Sequence, residues 1–74
     1  MKLIEEIRSK FHYINFEYKK EEVKGQQSPF HSLYYNDECI ISIMEGHEPK
    51  DGPEYEQIFN IVKANINLIG YGSK

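Results

Sequence analysis

The chain has one cysteine, no tryptophan, one arginine and one alanine. A lone cysteine, Cys39, cannot form an intrachain disulfide, so a disulfide-dense small scaffold is excluded. It stands beside Ile40 and Ile41, and the expected role is a buried thiol acting as a small hydrophobe. The single arginine, Arg8, leaves little for bidentate contacts to phosphate or guanine. A formal net charge of −3 argues against direct nucleic-acid binding, which relies on neutralising phosphates. No apolar run approaches the length of a membrane span. Glu5 and Glu6 interrupt the opening Met1-Lys2-Leu3-Ile4 and break any apolar core of the kind a secretory leader needs. The expected setting is cytoplasmic, with no membrane.

At 74 residues the chain is read as a single domain, residues 1–74, with a thin stability margin. Isoleucine, lysine, asparagine, tyrosine and phenylalanine make up nearly half of it. Their codons are AT-rich, so the composition points to a low-GC bacterium or one of its phages or plasmids. The base composition of the source genome tests this, and a GC-rich source would end it.

Leu3, Ile4, Ile7 and Phe11 recur at helical spacing and predict a short helix over residues 2–10. Glu5 and Glu6 near its start and Arg8 and Lys10 near its end suit the helix dipole. Ile14 and Tyr18 could prolong that spacing, but Ile14, Phe16 and Tyr18 also alternate with polar neighbours, and the aromatic and β-branched content favours a strand over residues 12–20. A polar connection with Gly25 and Pro29 follows. Residues 30–35 and 39–44 read as a hairpin joined by the three-residue turn Asn36-Asp37-Glu38. The second of these strands is almost continuously apolar, which predicts a central strand covered on both faces, with a second cover that another subunit could supply. Residues 45–52 are a loop. In the last helix Asp51 and Glu54 are placed for a capping box, with Pro53 in the first turn. Tyr55, Ile58, Phe59, Val62, Ile66 and Ile69 fall on one face. Gly70 is the expected stop, and residues 70–74 the expected loose tail. Ile61 and Leu68 lie off the stripe, where they either widen the face or meet a partner. The fold class that follows is α+β: a two-layer domain ordered helix, three-stranded antiparallel sheet, helix.

Chemical motifs are scarce. His12, His31, His47 and Cys39 show no CxxC, HxxxH or HExxH spacing, so no metal ligand is assigned. Cys39 has Glu38 on one side and Ile40 on the other, and both raise a thiol pKa. Ser28, Ser32 and Ser42 lie in no nucleophile elbow. Gly70-Tyr71-Gly72 follows a helix instead of preceding one and cannot cradle a phosphate. No catalytic residue and no cofactor are assigned, and the chain reads as a non-enzyme.

The charge pattern is the strongest remaining signal. Residues 37–56 carry seven acids against one base, Lys50, a local balance of −6 within a chain of −3. Asp37 is explained by the turn, and Asp51 and Glu54 by the cap. Glu38, Glu45, Glu48 and Glu56 have no folding role in this reading, and they are the candidate residues for binding a basic protein surface. In layout and acidity the chain resembles, in general plan, several small phage-encoded inhibitors. Some anti-CRISPR proteins that occlude a nuclease's DNA-binding surface are among them. The resemblance implies an inhibitory interaction module. A homo-oligomeric structural or regulatory subunit, dimerising through the sheet, is the alternative.

Overall fold

A computed structural model describes residues 1–72 of the chain. The order is α1 (Lys2–Lys10), β1 (Glu17–Glu21), β2 (Phe30–Tyr35), β3 (Glu38–Met44) and α2 (Gly52–Gly72). The strands form one antiparallel sheet in the order β1-β2-β3. The α+β class and the element order are those read from the sequence. No helix among the described residues is long and apolar enough to cross a membrane.

One core joins the two layers. Leu3, Ile4 and Ile7 of α1 and Phe11 just beyond it meet Phe59, Val62 and Ile66 of α2 over Phe16, Leu33, Ile40 and Ile43. Ile7, Leu33 and Val62 are fully enclosed. At nine residues α1 is too short to persist alone in water, so the apolar face it shares with α2 and the sheet holds it. Lys10 adds its ammonium over the Phe59 ring, 4.8 Å from the centroid.

Several expectations are corrected. The strand predicted over residues 12–20 is shorter and later. Phe11 closes α1 with its N–H on the Ile7 carbonyl, at φ −107° and ψ 49°, and bends the chain out of the helix. Ile14 and Phe16 then donate to the carbonyls of Phe11 and Ile14 in successive tight turns. These turns bury both Phe11 and Phe16, which neither a continuous strand nor a continued helix would do.

The hairpin connection has two central residues, not three. Asn36 and Asp37 both have positive φ, 52° and 65°, and Tyr35 pairs directly with Glu38. That is the type I′ pattern, whose twist matches the strands it joins.

The apolar strand β3 lies at an edge of the sheet, and β2 is central. A bulge interrupts the continuous apolar run of β3. Leu33 pairs with Ile41 and Tyr34 with Cys39, so Ile40 has no partner on β2. The extra residue lets neighbouring side chains turn to the same side. Ile40 and Ile43 are buried and Ile41 packs against them. Cys39 is thereby turned to the opposite face, and it is exposed, contrary to the buried thiol expected.

At the start of α2, Gly52 has φ +78°, outside the helical region. Regular turns therefore begin at Pro53, the favoured N1 position. Asp51 stands one residue too early for the expected capping box with Glu54. The apolar stripe of α2 is as read, but the helix continues through Gly70 to Gly72. Of the expected loose tail, residues 73 and 74 lie outside the described residues.

Candidate interaction surface

The four glutamates singled out do not form one patch. Glu38 opens β3 and Glu45 follows its last residue, so their backbones are about 23 Å apart at 3.3 Å per residue. The loop after β3 leads into the start of α2, which then runs back along the strand until Asn65 donates to the Ile40 carbonyl at 2.8 Å. Glu56 precedes Asn65 by nine residues, about 180° around the helix at 100° per residue. It therefore lies on the flank of α2 away from β3.

Glu45 has a folding role that the sequence did not disclose. Its Oε1 lies 2.9 Å from Nε2 of His31, and His31 is only 4% exposed. On the other side of the ring, Nδ1 lies 2.6 Å from the Tyr18 hydroxyl, with the Tyr18 and His31 rings stacked at 5.9 Å. A carboxylate only accepts, so Nε2 carries a proton and donates to Glu45. In the neutral ring Nδ1 then accepts from the Tyr18 hydroxyl. The bond from His31 holds the Glu45 carboxyl below the usual carboxylate range, with Lys20 and the N-terminus adding to the pull against partial desolvation. This chain satisfies a buried imidazole completely. Its members are 13 and 14 residues apart, and no spacing rule marks them.

Glu48 lines a cavity of about 190 Å³ with Lys2, Leu3, Glu6, Lys50 and Tyr55, between the starts of the two helices. Its Oε2 is buried without a hydrogen-bond partner. Glu38 and Glu56 are exposed. The one contact of ion-pair geometry among the described residues is His31–Glu45, where the histidine carries charge only when protonated; the other six acids of residues 37–56 have no such contact. No group of three or more His, Cys, Asp or Glu among the described residues is placed to hold a metal ion.

The sheet face away from the helices follows from the register, because directly opposed residues share a face. It carries Glu17, Lys19 and Glu21 of β1, Phe30, Ser32 and Tyr34 of β2, and Cys39, Ser42 and Met44 of β3. Its polar groups pair among themselves. The Tyr34 hydroxyl donates to Glu21 at 2.7 Å, Lys19 sits over the Tyr34 ring, and the Ser32 and Ser42 hydroxyls meet at 2.9 Å. Glu21 accepting that hydrogen bond pushes the Tyr34 pKa up to about 12. The Cys39 thiol is also pushed up, by partial burial and then by the charge of Glu21.

The two outer strands differ in how they end the sheet. Every residue of β1, Glu17 to Glu21, is exposed, and Lys19 and Lys20 occupy its middle. Charged residues of this kind discourage strand addition. From Cys39 to Met44, β3 has no charged residue. Beside it, Ile61 and Leu68 of α2 are 45% and 72% exposed. They lie about 40° and about 60° around the helix from Asn65, both away from the core stripe. Asn65 faces Ile40, so these two side chains project beyond the β3 edge. Glu54, about 20° from Asn65 on the same side, is exposed at the start of that flank. A charge count along the sequence does not pick out this surface. The only sequence signal for it was that Ile61 and Leu68 fall off the stripe.

No protein-family model matches the chain, and no curated protein or solved structure matches it.

Proposed function

We propose that the chain is a small non-enzymatic interaction module whose acidic surface engages a basic protein partner. One observation carries the reading: none of the seven acids in residues 37–56 is paired with a lysine or arginine among the described residues, and Asp37, Glu38, Asp51, Glu54 and Glu56 are exposed, so their negative field acts outward. The general plan shared with small phage-encoded inhibitors supports a specific form of it. In that form a phage or mobile-element product covers a surface with which its partner would bind nucleic acid. The hydroxyl–imidazole–carboxylate order of Tyr18, His31 and Glu45 is also the order that activates a nucleophile. The described cavities are lined by other residues, which supports a packing role for this trio. In a pull-down from host lysate with the tagged chain, a basic protein is retained at low salt and released as salt screens the charges. Retention unchanged at high salt, or a retained partner that is not basic, refutes the reading.

A second reading, a homo-oligomeric subunit, is favoured by the helix-free sheet face with Phe30, Tyr34 and Met44. Sedimentation at high micromolar concentration decides it, and a strict monomer removes it.

A further inference from the structure

We infer that the β3 edge is a slot for a fourth strand, filled by an extended, basic-ended segment of the partner protein. The inference rests on the proposed function and names its mode of contact. An edge strand presents a row of backbone donors and acceptors to whatever lies beside it, of which the Ile40 carbonyl of β3 is already taken by Asn65, and strand addition is a recurring way of binding extended peptides. Among the described residues β3 has a strand neighbour on one side only, and it lacks the lysines that protect β1. A strand added to β3 would lie about 4.8 Å beyond it, beneath the overhang of Ile61 and Leu68. The exposure of these two apolar side chains is then explained. They are the part of the helix layer that would cover the inward side chains of the added strand.

The same geometry identifies the occupant. The turn end of the slot is flanked by Asp37 and Glu38 and the far end by Glu54, all exposed. Apolar side chains under the overhang, with lysine or arginine at both ends, complement that arrangement. A second copy of this chain does not. Two β3 strands paired antiparallel about a two-fold axis would set Asp37 and Glu38 of each copy against the acidic end, Glu45 to Glu54, of the other. Like charges brought together in this way oppose association.

The test is a nuclear magnetic resonance titration of the full chain. The probe is a synthetic peptide of alternating valine and threonine with two lysines at each end. Controls carry glutamates at the ends or a central proline. The lysine-ended peptide should shift the β3 amides and the Ile61 and Leu68 methyls. Glutamate ends, the proline, or the double variant Ile61→Ser with Leu68→Ser should each weaken binding at least tenfold. Both substituted side chains are exposed, and an unchanged amide spectrum outside α2 confirms that the variant folds. Lysine-ended peptide that binds elsewhere on the acidic surface overturns the strand slot and leaves the acidic module standing. Absence of any binding overturns both. Shifts at β3 that depend on protein concentration without peptide would identify a second copy as the occupant, against the inference.

Discussion

Replacing Asn65 tests the joint between α2 and the edge strand. The bulge leaves Ile40 outside the β2 ladder, and the Asn65 amide donates to its carbonyl at 2.8 Å in a partly buried setting. Asn65→Ala removes the donor and strands the carbonyl. The loss of a net hydrogen bond together with an unpaired acceptor is about 1–3 kcal/mol. For a domain this small, each 1 kcal/mol lowers the melting temperature by about 4–8 °C, so a drop of about 10 °C is expected in a circular-dichroism melt. Total stability at this length is about 4–11 kcal/mol, so the loss is readily measured and the variant still folds. Asn65→Asp is the sharper control. It keeps the shape, but an ionised carboxylate only accepts, so it should be less stable than the alanine variant near neutral pH. Its deficit should shrink as acid protonates the side chain and restores a donor. A melting temperature of Asn65→Ala within about 2 °C of the parent, or an aspartate variant as stable as the parent at neutral pH, would refute this account of the bulge.

Cys39 should react fully with a thiol reagent in the native protein, because it is exposed. Its raised pKa should make the reaction slower than that of a free cysteine near neutral pH, and protection until unfolding would contradict the register. Tyrosine absorbance during alkaline titration should show one group ionising near pH 12, and Glu21→Gln should bring it back toward 10. Glu45 has a depressed carboxyl pKa in the fold. Its stabilising effect is therefore present above the unfolded carboxylate pKa and is lost as pH falls through the folded one. Denaturation curves of Glu45→Gln should show less of this acid-side loss than those of the parent, and an identical acid limb would count against the His31 bond.

What could be read in advance was what repeats along the chain. The stripe Tyr55, Ile58, Phe59, Val62, Ile66 and Ile69 is a helical period with no competitor, and Asn36-Asp37 can adopt positive φ where most residues resist it. The misreadings arose where the same residues satisfied two patterns. Phe11, Ile14, Phe16 and Tyr18 fit both a helical and an alternating pattern, and the fold takes a pair of tight turns that buries both phenylalanines. The run from Cys39 to Met44 looked like a strand covered on both faces because a bulge leaves no mark in composition. Two adjacent isoleucines, Ile40 and Ile41, break the alternation, and that break is the only trace of it. The candidate surface was half legible. The negative field was visible as a count of charges, but the count could not show that Glu45 is tied to His31 or that Glu56 faces away from β3.

Amide hydrogen exchange along β3 is the most direct test of an open edge that receives a basic-ended strand. In the chain alone, β3 should lose protection sooner than β2, which has neighbours on both sides. The lysine-ended peptide should then slow exchange in β3 while leaving β1 unchanged. If β3 is as protected as β2 before any partner is added, or if the peptide protects β1 instead, the account is wrong.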